Sequence, residues 1–144
     1  MVGRTNERSI PRPRALFTRR WCSENLIENH STLDINKVKL LNETAYHFYR
    51  VDIEKTIKYA SQALRLANKL NYTEGKAESY RIKGIYYRLK SDLPKSLDFY
   101  QTSLNLYKEL NDKKGISILY NNIGNVFWHQ RNYPKSLQFH HKSL

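Results

Sequence analysis

Pro94-Lys95-Ser96-Leu97 returns forty positions later as Pro134-Lys135-Ser136-Leu137. The echo spreads outward from both copies. Gly84 returns as Gly124, Asp92 as Asn132, Phe99 as Phe139, and Ser103-Leu104 as Ser143-Leu144. One step earlier, Lys55-Thr56-Ile57 precedes Lys95-Ser96-Leu97, and Ala63-Leu64 precedes Ser103-Leu104. Leu70-Asn71 with Gly75 recurs as Leu110-Asn111 with Gly115. A fixed period of this length belongs to a stack of like units, each too small to bury its own apolar face.

Within each unit the pattern is helical. Leu93, Leu97, Tyr100, Leu104 and Tyr107 fall at steps of four, three, four and three, which is one stripe of a 3.6-residue helix. Ile53, Ile57, Ala60, Leu64 and Ala67 draw it one unit earlier; Tyr133, Leu137, His140 and Leu144 begin it again. The turns before these helices end in Asp52, Asp92 and Asn132, side chains that accept from the orphan N–H groups of a coming helix. Pro94 and Pro134 sit in the first turn, where a missing N–H costs nothing. The partner helices are expected at 37–50, 74–90 and 113–130, with Ile116, Tyr120, Ile123 and Phe127 as the buried stripe of the last. Gly84 and Gly124 fall mid-helix, where Gly costs about 1 kcal/mol against Ala. The expected reason is a close helix crossing, with Thr56, Ser96 and Ser136 supplying the small residues opposite. No period-2 run or Asn-Gly turn signals a strand.

Composition bounds the rest. At 144 residues the chain holds one domain or a few short repeats. A mean hydropathy of −0.75 and the lack of any long apolar run exclude a transmembrane helix. No apolar segment follows the N-terminal arginines, so no secretory signal is expected, and the single Cys22 suits a reducing, cytoplasmic setting. The net charge is +12. Residues 1–23 carry six Arg and one Glu, a net of +5, among Gly3, Pro11 and Pro13. Residues 1–33 are therefore expected to be a basic, mostly disordered segment with a short helix near Trp21–Glu28. Residues 34–144 form the repeat domain, with units at about 37–76, 77–116 and a truncated 117–144.

These features together resemble the tetratricopeptide repeat. The third unit places Tyr120, Ile123-Gly124, Phe127, Ser136, His140 and Ser143 on the family's signature positions. The second places Tyr80, Gly84, Tyr87, Ser96, Tyr100 and Ser103 there, and the first, more weakly, Leu40, Thr44, His47, Thr56, Ala60 and Ala63. The unit is the longer, forty-residue form, similar to that of kinesin light chains, Rap-type phosphatases and the sensory halves of bacterial signalling proteins. Lys83 and Glu43 depart from it, standing where the family has a buried Leu. The resemblance covers residues 37–144. It implies an all-α, right-handed solenoid of about 2.5–3 antiparallel helix pairs that binds a peptide or partner helix in its concave groove. A role in bacterial signal transduction follows by the same resemblance, in a sensor kinase, cyclase or regulator whose output domain lies elsewhere.

No chemistry-bearing constellation stands out. His30, His47, His129, His140 and His141 lack a metal-type partner at helical spacing. Cys22 has no fixed base nearby, and no Gly-rich phosphate loop occurs. Neither an enzyme nor a cofactor is expected. By the resemblance, the groove is lined by Asn42, Ala45 and Tyr49 in the first unit. In the second it is lined by Glu78, Arg81, Ile85 and Arg88, and in the third by Asn121, Asn122, Asn125 and Trp128. Asn side chains can hold an extended peptide backbone whatever its sequence. Arg81 and Arg88, two turns apart on one face, can take a carboxylate, and Tyr49 and Trp128 are apolar anchors. A nucleic-acid partner, reached through the Arg-rich segment and the lysines, is the alternative. Self-association is expected through the C-terminal end around Ile123, Phe127, Leu137 and Leu144.

Overall fold

The computed structural model describes residues 24–27 and 33–144. The expectations for the other N-terminal residues, including Cys22, His30 and the ends of the 21–28 helix, lie outside the described residues. Six helices follow in order: α1 (Ile35–Phe48), α2 (Ile53–Lys69), α3 (Thr73–Leu89), α4 (Leu93–Glu109), α5 (Lys113–His129) and α6 (Tyr133–Ser143). Among the described residues there is no strand. From α2 onward a helix begins every twenty residues, so the forty-residue period of the sequence is two helices and two turns.

The start and stop signals are local. Asp34, Asp52, Asp92, Asp112 and Asn132 are N-caps; each side chain accepts from the backbone N–H three residues on. A cap of this kind is worth about 1 kcal/mol. Only α3 begins without one, at Tyr72. The four helices from α2 to α5 end alike. Asn71, Ser91, Asn111 and Arg131 adopt a left-handed conformation with φ of 50°, 63°, 54° and 60°. The next residue then donates back to a carbonyl five residues earlier, as Asp92 N does to Tyr87 O at 2.9 Å. This closing motif usually takes Gly at the left-handed position. Here a polar residue stands in every time.

Side-chain contacts fix the packing. Ser96 Oγ donates to Gly84 O at 2.8 Å and Ser103 Oγ to Ala77 O at 2.7 Å. Residue numbers that fall on one side as they rise on the other make α3 and α4 antiparallel. Each short turn reverses the chain, so α1, α3 and α5 run parallel, and side chains join them across repeats where Asn42 meets Ser79 and Arg88 meets His129. Each helix packs on the next in sequence. The row α1–α3–α5 is also in contact along itself, whereas α2, α4 and α6 do not touch one another. The surface over the first row is thus the tighter, inner one.

Two clusters fill the middle. Val38, Leu41, Phe48, Tyr59 and Ile82 anchor the first; Tyr100, Leu104, Tyr107, Leu119 and Val126 anchor the second. Each fully buried large side chain is worth about 1.5–3 kcal/mol. The expected α5 stripe is only partly the core: Ile123 is buried, while Ile116, Tyr120 and Phe127 are half-buried against α6, and Leu119 and Val126 take the centre. The recurring lysines also have a partner. Lys55 lies over Phe48 at 4.8 Å, Lys95 over Tyr87 at 5.3 Å and Lys135 over Phe127 at 5.4 Å, each closing a helix pair by a cation–π contact. Lys83 runs its stem along the interior and lays its ammonium over Phe99 at 5.4 Å; burial lowers its pKa.

The glycines serve a different contact from the one expected. A Cβ on Gly84 would meet the Tyr100 ring, and one on Gly124 the His140 ring. Each glycine makes room for a ring from the partner helix, and Ser96 joins it by bonding the Gly84 carbonyl. Ser136, one unit later, is equally buried but its hydroxyl has no partner. Residues 24–27 form a helical turn on the first pair. Lys37 Nζ donates to Ile27 O at 2.8 Å, and Lys55 Nζ and the Tyr59 hydroxyl both reach Glu24.

Candidate functional site

Polar side chains on the α1–α3–α5 row divide into those held inside the fold and those left for a ligand. Asn42 is held. It is 3% exposed, its amide donates to Gly75 O at 3.1 Å and its carbonyl accepts from Ser79 Oγ at 2.9 Å. It ties α1 to α3. Ala45 and Ile85 are likewise buried at that seam. Arg81 is held as well. Its Nε and Nη2 grip Glu78 at 3.0 and 2.5 Å, and its guanidinium stacks over Tyr46 at 4.9 Å. The Tyr107 hydroxyl donates to the same carboxylate at 2.8 Å. Burial opposes the charge on Glu78, but the Arg81 and Tyr107 contacts outweigh it and keep the carboxyl below its ordinary range.

What remains forms a groove of about 400 Å³ across all three inner helices. Its α1 edge is Tyr46, Tyr49 and Arg50; Tyr46 and Tyr49 stack at 5.1 Å, and Arg50 lies over the Tyr49 ring at 5.1 Å. Its floor on α3 is Arg81, Ile85 and Arg88, and its α5 edge is Asn121, Asn122 and Asn125. No carboxylate lines it. Arg88 Nη1 faces His129 Nε2 at 3.2 Å. Guanidinium has only donors, so His129 presents its lone pair there. Asn121 is engaged at the far edge, its carbonyl against His140 Nδ1 at 3.1 Å. Asn122 is half-buried, and its amide nitrogen is buried without a partner. Beneath the floor the Tyr100 hydroxyl is also buried and unbonded. Burial raises its pKa, and the nearby Arg88 charge offsets part of that rise. The groove thus carries the positive charge of its arginines with no carboxylate, and its Asn amides offer both donors and acceptors, which suits an anionic or carbonyl-bearing ligand.

Of the residues expected on this wall, the groove brings together Tyr49, Arg81, Arg88, Asn121, Asn122 and Asn125. Asn42 lies in a second cavity, described next, and Trp128 stands outside both, 60% exposed, with its ring edge on Tyr133 at 4.9 Å. Tyr46 and Arg50 were missed. Tyr46 stands three positions before Tyr49, on the same face of α1, which is the only signal the sequence offered. The second cavity, about 450 Å³, lies toward the start of α1 and α3. Tyr46, Tyr72, Tyr107 and the half-buried Glu78 line it, together with the exposed Lys39, Glu43, Glu74 and Lys114. The Tyr72 hydroxyl donates to Glu74 at 3.0 Å; burial, then this carboxylate, raise the Tyr72 pKa to about 12.

Among the described residues no group of three or more His, Cys, Asp or Glu side chains is placed to hold a metal ion. Among them, too, no helix is long and apolar enough to cross a membrane. No protein-family model matches the chain, and no curated protein matches it.

Proposed function

We propose that the chain is a protein-interaction module of the tetratricopeptide type, a right-handed stack of helix pairs that acts by binding rather than by catalysis. Its ligand is an extended, acid-bearing segment of another polypeptide. The observation that carries this reading is the cationic groove: Arg50 and Arg88 face it without a carboxylate partner among the described residues. Tyr46 and Tyr49 give the same ligand a rigid apolar surface. A place in bacterial signal transduction rests on the forty-residue form of the repeat alone.

The test is selection of peptides from a phage-displayed random library on the full chain, followed by anisotropy titration against Arg88→Ala and Asn122→Ala. Acidic peptides that bind the parent and lose about tenfold or more on Arg88→Ala are expected. Failure to select any peptide, or equal binding by all three proteins, would overturn the assignment. A single-stranded RNA competitor that displaces the peptides only at low salt would favour the nucleic-acid reading instead.

A further inference from the structure

The groove and the second cavity share Tyr46, and the Glu78–Arg81 pair stands between them. On one side of that pair the wall is cationic; on the other, carboxylates lie under aromatic rings. We infer that the inner wall recognises a dipolar peptide segment: an acidic side chain seats by Arg50 and Arg88, and a basic one seats on Tyr72 and Tyr107 over Glu74. This rests on the proposed peptide-binding role and adds a second subsite to it.

The chemistry at the second cavity is that of a cation seat. Aromatic faces attract ammonium and guanidinium groups, more strongly where water is thinned. Two of its carboxylates are held, the exposed Glu74 by the Tyr72 hydroxyl and Glu78 by Arg81 and Tyr107. Lys39 and Lys114 are exposed, on flexible stems with solvated heads, and can swing aside. The Glu78–Arg81 pair neutralises itself, so it separates the two fields without favouring either ligand charge.

The spacing is fixed by α3. Glu74 and Arg88 are fourteen residues apart on it, about 21 Å at 1.5 Å per residue. An extended chain covers that in about six residues. The ligand is therefore a segment with Lys or Arg and Asp or Glu at that separation.

The experiment uses the full chain and peptides selected from the phage-displayed library, each synthesised with its basic residue, its acidic residue, or both changed to Ala. Affinities are measured by anisotropy for the parent, Glu74→Gln and Arg50→Gln. Both residues are exposed, and circular dichroism melts verify that the variants fold. Glu74→Gln is expected to weaken the intact peptide about fivefold to tenfold and to leave the peptide lacking its basic residue unchanged. Arg50→Gln is expected to show the same coupling to the acidic residue alone. Losses that multiply independently, or selected peptides with no basic residue at the predicted spacing, overturn the dipolar assignment while leaving peptide binding intact. If no peptide is selected, both readings fall.

Discussion

Replacing Gly84 with alanine sets two effects of known size against each other. In a helix interior alanine is favoured by about 1 kcal/mol. Against this, a Cβ at Gly84 would lie 2.4 Å from Tyr100 Cε1, 2.5 Å from Cδ1 and 3.1 Å from Cγ. Carbon atoms rest at about 3.5–4.0 Å, so the overlap is about an ångström. Tyr100 is fully buried and meets the new atom with the flank of its ring, not with a flexible end. The helices α3 and α4 must part. Overpacking of this kind costs about 1–3 kcal/mol, and parting also strains the Ser96–Gly84 hydrogen bond, worth about 1 kcal/mol. After the propensity gain, Gly84→Ala should destabilise by about 1–3 kcal/mol. Gly124→Ala is the internal control. There the new atom meets His140 Cε1 at 2.8 Å and both ring nitrogens at 3.0 Å, on a half-exposed side chain of α6 that can rotate away. Giving up the exposed His140–Asn121 bond roughly cancels the propensity gain, so the change should stay within about 0.5 kcal/mol. Urea unfolding followed by circular dichroism measures both, with equal slopes required for the comparison. A Gly84→Ala protein as stable as the parent, or a Gly124→Ala protein more damaged than it, would refute the argument that ring accommodation explains the repeated glycine.

The left-handed positions should respond to glycine in order of their present strain. Ser91→Gly and Arg131→Gly should each stabilise by about 1 kcal/mol, and Asn71→Gly by less, as seen in thermal melts; unchanged or lowered midpoints would contradict the turn geometry. Glu78→Gln should cost about 2 kcal/mol at neutral pH. Because the folded state holds this carboxyl below its ordinary range, its contribution is full above the unfolded pKa and is lost as pH falls through the folded one. The gap between parent and variant in urea titrations should therefore shrink below about pH 4.5, and a gap constant to pH 3 would sink the ion-pair account. Leu137 and Leu144 are exposed on α6, and self-association through them should weaken on Leu137→Lys. Sedimentation velocity showing the same species for both proteins would remove that surface from consideration.

The helices were legible in the sequence because their determinants are local. Asp52, Asp92 and Asn132 were expected to cap, and each accepts from the N–H three residues on. Pro94 and Pro134 fall in first turns as their chemistry requires. The two helices in each forty-residue unit were legible in the same way. The left-handed residue that closes a helix was not, because here it is Asn, Ser, Asn and Arg rather than a repeated Gly. The role of Gly84 was misjudged for a related reason. Periodicity says that a Cβ is excluded but not whether backbone or ring excludes it, and Tyr100 had been counted as an ordinary member of the apolar stripe.

The wall residues were less legible, and the reason is physical. Whether a polar side chain can serve a ligand depends on whether the fold has already used its hydrogen bonds. Those partners lie about one repeat away, beyond any local pattern. Asn42 spends both ends of its amide on Gly75 and Ser79. Arg81 spends its fork on Glu78, only three residues off, and that pair could have been read from helical spacing. With Arg81 occupied, the two-turn Arg81–Arg88 clamp becomes Arg88 alone, and the second cation comes from Arg50 across the groove. The change alters the chemistry, not merely the roster. Two arginines on one helix would grip a single carboxylate from one side, whereas Arg50, in the turn after α1, and Arg88, on α3, would approach it from two sides of the groove. Such a site needs α1 and α3 held at a fixed distance, and Asn42, by bonding Gly75 and Ser79, ties the two helices together.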